Sequence, residues 1–238
     1  MAKRLFDIML SVLILAVASS LLVGLMLLIW AHDRRSPLYR GNRVGREGGD
    51  FRMLKLRTMT VDAERTGGTS TAGSDGRLTS LGKYLRRWKF DELPQFCNVL
   101  MGDMSIVGPR PNTRRGGVER YTPEEMRLLN VRPGITDVAS IVFSDEGQIL
   151  DGAADPDALY DAVIRPWKSR LGLLYVDHWN LSFDLRIIWL TAVALVAKPV
   201  ALRGVDAILV QWGADDELRR ICRRRAPLPQ AEPPGLAA

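Results

Sequence analysis

The chain has 238 residues, 47% hydrophobic and 25% charged, with 33 Lys and Arg against 27 Asp and Glu for a net charge of +6. That balance excludes a chain too polar to bury a core, and the surplus of cations points to anionic partners without choosing among nucleic acid, acidic lipid and phosphorylated small molecules. The two cysteines, Cys97 and Cys222, and the two histidines, His32 and His178, lack ligand spacing. This argues against a zinc site or a disulfide framework and leaves oxygen-ligated hard cations as the metal class.

From Ile8 to Ala31 no residue is charged. As a helix this run extends roughly 36 Å, enough for a bilayer core of about 30 Å. Lys3, Arg4 and Ala16-Val17-Ala18 mimic a cleaved leader, but the apolar run continues well past that point, unlike a leader. Basic residues flank both ends: Lys3 and Arg4 before, Arg34, Arg35, Arg40, Arg43 and Arg46 after. The heavier second flank leaves an ordinary span open, whereas two basic flanks also suit a helix that enters one leaflet, bends and returns. Ser19-Ser20, helped by Gly24, offers a place for the bend.

Residues 38–58 read as two short strands around Arg46-Glu47-Gly48-Gly49. Period two sets Lys55 and Arg57 on one side about 7 Å apart, a spacing that suits two linked phosphates or a plain basic face. Residues 66–76 form a Gly/Ser/Thr-rich segment expected to be a mobile loop. Leu81, Tyr84 and Leu85 predict a helix over 78–87 with Ser80 as its cap, and Leu93, Phe96, Val99 and Leu100 predict another beginning at Asp91. Asp91 and Glu92 would then lie at a helix N-terminus, where free amides favour ionised carboxylates. Asp91 is either a cap or a site residue; the second acid and the cations Arg86, Arg87 and Lys89 around it shift the balance toward a site.

In Gly108-Pro109-Arg110-Pro111 two prolines hold the backbone on either side of one guanidinium, and Arg132-Pro133-Gly134 repeats the idea with a type II turn expected at Pro-Gly. After an acidic stretch, 144–161, helical spacing returns at Leu171, Leu174 and Tyr175. The apolar run 187–197 is too short to span, so it lies at the interface or fills the core. Arginines at 223–225 could touch anionic headgroups, and the Pro/Ala-rich end is expected to be disordered.

Together these parts suggest phosphoryl-type transfer at a membrane surface, with paired acids supplying a nucleophile and a hard-metal ligand. A membrane-anchored basic adaptor without chemistry and a nucleotide-sugar hydrolase are the competing readings. The residues KRLFDI at 3–8, NRVGREG at 42–48, FRMLKLRTM at 51–59, LGKYLRRWKFDELPQFCNVLMGDMSIVGPRP at 81–111 and VRPGIT at 131–136 resemble the bacterial monotopic phosphoglycosyl transferases.

The resemblance implies a ping-pong transfer of phosphosugar from a UDP-sugar to polyprenol phosphate (undecaprenyl phosphate), releasing UMP, as the first membrane step of glycoconjugate assembly. Asp91 would be the nucleophile, Glu92 with Asp91 would hold Mg²⁺, and Lys55, Arg57, Arg110 and Arg132 would hold phosphates. It implies an α+β, predominantly helical protein with a re-entrant membrane helix, a small hairpin and interfacial helices. The divisions expected are a membrane helix over 1–35, a catalytic domain over 36–218 and a basic tail over 219–238. The place is the bacterial inner membrane with the site on its cytoplasmic face; inner-membrane lipid is a partner, nucleic acid is not, and a homodimer stays open. Three departures stand out: the family's re-entrant helix bends at a Ser-Pro pair where this chain has Ser19-Ser20 without proline, Gly172 occupies a position where the family commonly has aspartate, with Asp177 as a substitute, and ITDVASIVF at 135–143 replaces a commoner continuation, so sugar specificity can differ.

Overall fold

The computed structural model describes residues 1–61, 63 and 72–236. The first element, α1 (Ala2–Asp33), is one helix of 32 residues. Its polar first turns dock into the body: Lys3 donates to Asp184 at 2.5 Å and to the Val107 carbonyl at 3.1 Å. Arg4 donates to the carbonyls of Val99 and Leu100, and Asp7 accepts from Ser105 Oγ at 2.8 Å and the Ile106 amide at 3.2 Å. At the other end Leu25 and Ile29 are buried with Leu56 and Leu85, and Asp33 pairs with Arg57. Between these anchors Val12, Leu13, Val17, Leu21 and Val23 face outward. Ser19 Oγ bonds the Ala16 carbonyl at 2.8 Å, the back-bonding expected of it, within unbroken helix.

Strands β1 (Leu38–Val44) and β2 (Asp50–Leu56) pair antiparallel from Leu38↔Leu56 to Val44↔Asp50, forming the expected hairpin. Positive φ at Glu47 (60°) and Gly48 (80°) closes its turn. Of the expected loop 66–76, residues 66–71 lie outside the described residues, while Gly73 donates to the Gly147 carbonyl at 2.8 Å. In α2 (Ser80–Arg87) the cap is Thr79 rather than Ser80: Thr79 is still extended, and its hydroxyl accepts from the Gly82 amide at 2.9 Å.

Helix α3 (Gln95–Met101) ends at Gly102, whose φ of 96° suits only glycine well. Two three-residue strands, β3 (Ser105–Val107) and β4 (Gly134–Thr136), then pair in parallel. This pairing joins Gly-Pro-Arg-Pro to Arg-Pro-Gly. Gly134 is not in the positive-φ region a type II turn requires. It is needed for close approach, because a Cβ there would lie 2.2 Å from the Gly108 nitrogen.

Helices α4 (Val138–Val142), α5 (Glu146–Ile149), α6 (Pro156–Val163), α7 (Arg165–His178), α8 (Leu181–Gln211) and α9 (Asp216–Cys222) complete the chain. The core gathers Ile141 and Val142 of α4, Trp167 and Tyr175 of α7, and Ile187, Val205 and Ile208 of α8. Tyr175 donates to Asp184 at 2.8 Å and Val107 O at 3.0 Å, so the buried Asp184 is satisfied by Lys3 and Tyr175 together.

The run 187–197 belongs to α8, which doubles back at Ala197: Arg186 donates to Gln211 at 2.7 Å and Leu190 packs on Gly204, so neither arm of α8 is long enough to span, whereas α1 is long and apolar enough to cross a membrane. Lys198 and Pro199 interrupt the apolar pattern, and the helix itself departs from helical geometry at Ala197 (φ −143°, ψ 61°), ahead of Pro199. Residues 219–238, expected as a disordered tail, are largely ordered as far as they are described. They finish α9, and the proline-rich end lies on the body, with Ala231 donating to Ala162 O at 3.0 Å and Trp167 Nε1 to Pro229 O at 3.3 Å. Leu228 and Ala231 pack against the core, which offsets the ordering cost that composition alone suggested would win.

Candidate active site

Asp91 and Glu92 sit in a 3₁₀ turn, Phe90–Glu92, entered through Lys89 in the left-handed region (φ 59°), with Pro94 between them and α3. They precede the helix rather than beginning it, and neither caps it. Asp91 is only 4% exposed, and its Oδ1 is buried with no hydrogen-bond partner among the described residues. Capping therefore does not explain it; an orphaned buried carboxylate oxygen carries a cost that calls for a functional reason.

Four cations surround the pair. Arg110 grips both Glu92 oxygens, at 3.1 and 3.0 Å, and also donates to the Ile135 carbonyl supplied by β4. Lys55 Nζ stands 4.0 Å from Asp91 and 3.8 Å from Glu92, a charge neighbour to both acids. Lys89 is 3.9 Å from Glu92. Arg86 is held by Thr58 Oγ1 at 3.0 Å and acts electrostatically on Asp91.

The acids diverge in character. Burial pushes the Asp91 carboxyl above its ordinary range, against the pull of Lys55. Burial would raise Glu92 as well, but Arg110, Lys55 and Lys89 outweigh it and hold it at about 2. Glu92 is thus the fixed anion and Asp91 the acid whose free oxygen is uncommitted. Burial lowers Lys55 to about 8, the two carboxylates offsetting part of that effect.

Supporting parts emerge only in three dimensions. Asn98 of α3 accepts from the Leu54 amide at 2.9 Å and donates to Arg52 O at 2.8 Å, bonding β2 as a neighbouring strand would. That clamp fixes Lys55 over the turn preceding α3. A buried Asn inside a seven-residue apolar helix was the available signal, and sequence reasoning passed over it. Asp137, buried at the N-terminus of α4, accepts from Ser140 N at 2.6 Å; burial raises its carboxyl, and Arg110 lies within its electrostatic reach.

Of the six residues singled out from the sequence, Asp91, Glu92, Lys55 and Arg110 come together. Arg57 turns to Asp33 and to Ser36 O, fastening the end of α1, and Arg132 donates to Gly102 O at 2.8 Å behind α3. Gly172 packs on Leu128 and Pro109 in the core, while Asp177 pairs with Arg127 on the surface. Among the described residues no group of three or more His, Cys, Asp and Glu side chains could hold a metal. Asp91 and Glu92 suit instead a magnesium that takes one or two carboxylates and completes its shell with substrate phosphate and water.

Two acids in a cage of cations, on a body whose first helix is long and apolar enough to cross a membrane, make a site suited to anionic oxygens. The profile of the bacterial sugar transferase family matches residues 1–198, and the chain belongs to that family. It is 35% identical to the galactosyl transferase CpsE of Streptococcus agalactiae over 80% of this chain and 41% of that protein. It is likewise 35% identical to the UDP-N-acetylgalactosamine-undecaprenyl-phosphate N-acetylgalactosaminephosphotransferase of Aeromonas hydrophila, over 79% and 42%. The chain thus spans about two fifths of those relatives. It covers 96% of the exopolysaccharide production protein PSS of Rhizobium leguminosarum bv. phaseoli, at 35% identity over 82% of its own length.

Proposed function

We propose that the protein transfers a phosphosugar from a UDP-sugar to undecaprenyl phosphate through a covalent intermediate on Asp91. A carboxylate oxygen of Asp91 attacks the sugar-linked phosphorus; an acyl phosphate bond forms, the diphosphate P–O bond breaks, and UMP leaves. An oxygen of the lipid phosphate then attacks the same phosphorus, forming the lipid diphosphate sugar and returning the aspartate carboxylate. The observation that carries this reading is the unpartnered, buried Asp91 Oδ1 among cations, while Glu92 is already held by Arg110.

Lys55 and Arg110 screen the charge that opposes attack of an anion on a phosphate. Held by Glu92 and Asp91, Mg²⁺ would supply further neutralisation of the phosphate oxygens. Arg57 and Arg132 would meet phosphate only by leaving their present partners.

The re-entrant reading of α1 is supported by its anchorage. Lys3, Arg4 and Asp7 at one end and Asp33 at the other are all bonded to the same body, which favours both ends on one side of a bilayer, while the bend expected at Ser19-Ser20 is not formed, α1 being continuous helix. The exposed apolar middle is the part that would enter the leaflet, with the site at the cytoplasmic face of the inner membrane.

The test is purified protein with Mg²⁺, a panel of UDP-sugars and undecaprenyl phosphate. UMP release and a phosphosugar adduct mapped to Asp91, both abolished by Asp91→Asn, are expected. Release of UMP beyond one equivalent without lipid would point to a hydrolase, and no release with any donor would point to an adaptor.

A further inference from the structure

Where α8 bends, a cavity of about 690 Å³ opens between that helix and the chain following α9. Lys198 and Arg203 line it from α8, and Arg223, Arg224 and Arg225 from the later segment. Against these five cations stand two acids, Asp145 and Asp206, leaving a surplus of three positive charges. Both acids are engaged: Asp145 by Lys198 at 2.8 Å and Arg224 at 3.1 Å, Asp206 by Arg219 at 3.1 Å and Arg223 at 3.0 Å. The side chains of Arg203 and Arg225 have no hydrogen bond or ion pair among the described residues, and Nε of Arg224 is buried without a partner. A concave surface with this charge surplus and an unsatisfied buried donor is suited to an anion with several oxygens.

The surroundings say what carries that anion. Val196 and Val200, 80 and 46% exposed, flank the cavity-lining Lys198 and Pro199 at the bend, and Leu185 and Trp189 are 49 and 68% exposed on the arm before it. Large apolar side chains left outside beside a basic cavity match a molecule with a hydrocarbon part and a phosphate part. None of the residues lining the cavity contacts the acidic pair at 91 and 92, and Arg203 and Arg223–Arg225 lie beyond the residues the family profile matches.

We infer that this cavity is a second phosphate site, occupied by the headgroup of an anionic lipid held by Arg203, Arg224 and Arg225, with acyl chains over the exposed Val196 and Val200 at the bend. The lipid would steady the bend of α8 against the bilayer. This inference does not rest on the transfer chemistry, since a lipid phosphate bound at Asp91 would not feel changes at Arg203 or Arg225.

The experiment is native mass spectrometry of the full chain in detergent, titrated with phosphatidic acid, with inorganic phosphate in parallel. Wild-type protein should retain phosphatidic acid, and R203Q/R225Q should weaken retention roughly thirtyfold, the effect expected of two basic groups near an anionic surface. The charge-reversed R203E/R225E should lose it altogether. Both pairs replace exposed, unpaired side chains, and an unchanged melting temperature confirms their fold. Equal retention by wild type and R203Q/R225Q overturns the inference, as does inorganic phosphate binding wild type as tightly as the lipid does.

Discussion

Replacing Arg110 with Met removes both hydrogen bonds to Glu92 and leaves a largely buried carboxylate beside Asp91. Glu92 is held at about 2 against an ordinary 4.5, and a shift of that size corresponds to about 3 kcal/mol of folding stability at neutral pH. Burial opposes that shift, and of the cations that produce it Arg110 acts most strongly, ahead of Lys55 and Lys89. The variant should therefore lose about 2–3 kcal/mol, or roughly 4–12 °C in melting temperature for a chain of this size. The sign follows from linkage: a depressed carboxyl stabilises the fold above its unfolded value, and the benefit is lost as pH falls toward the folded one. The gap between wild type and Arg110→Met should accordingly be full at pH 7 and less than half at pH 3. Differential scanning fluorimetry in detergent at the two pH values measures it. A gap of equal size at both, or none at pH 7, would refute the assignment of Glu92 as the anion fixed by Arg110.

Lys55, at about 8, should lose its proton as pH rises through that value, so UMP release should fall on the alkaline side, and Lys55→Arg should move that limb upward. A pH–rate profile with an identical alkaline limb in both proteins would remove Lys55 from the charge balance. Asn98→Ala should cost about 2–3 kcal/mol by cutting two strand-like bonds to β2 and should lower kcat by loosening Lys55, checked by thermal melts beside single-turnover rates. Gly134→Ala should prevent β3 and β4 from meeting, because the new Cβ falls 2.2 Å from backbone nitrogen; loss of folded yield is the readout. Gly172→Asp should destabilise by about 2–4 kcal/mol and not raise activity, since it drives a carboxylate against Leu128.

What could be read from the sequence was chemistry concentrated in a few adjacent residues. The acids at 91 and 92, their basic neighbours and the Pro-flanked Arg110 stood out because charge and backbone restriction are local properties, and the 38–58 hairpin because period two is. Arg57 shared the strand periodicity of Lys55, yet Asp33 claims it, and no pattern near Arg57 signals a partner 24 residues earlier. The β3–β4 pair was invisible for a similar reason: three-residue strands carry no period, and their glycines resemble turn residues until the two segments meet. The run 187–197 could be read as too short to span because Lys198 and Pro199 end it, and that is where α8 doubles back. The terminal segment looked too polar and proline-rich to order, but a few apolar contacts and carbonyl acceptors along it suffice.

The ion pair between Lys3 and Asp184 joins positions 181 residues apart. At translation rates of roughly 5–20 residues per second, α1 leaves the ribosome on the order of ten to forty seconds before its counter-ion exists. During that interval Lys3 has no counter-ion from α8, and closure of the Lys3–Asp184–Tyr175 network becomes a late event. Slowed synthesis of α7 and α8 would lengthen the window in which proteases can reach an undocked anchor.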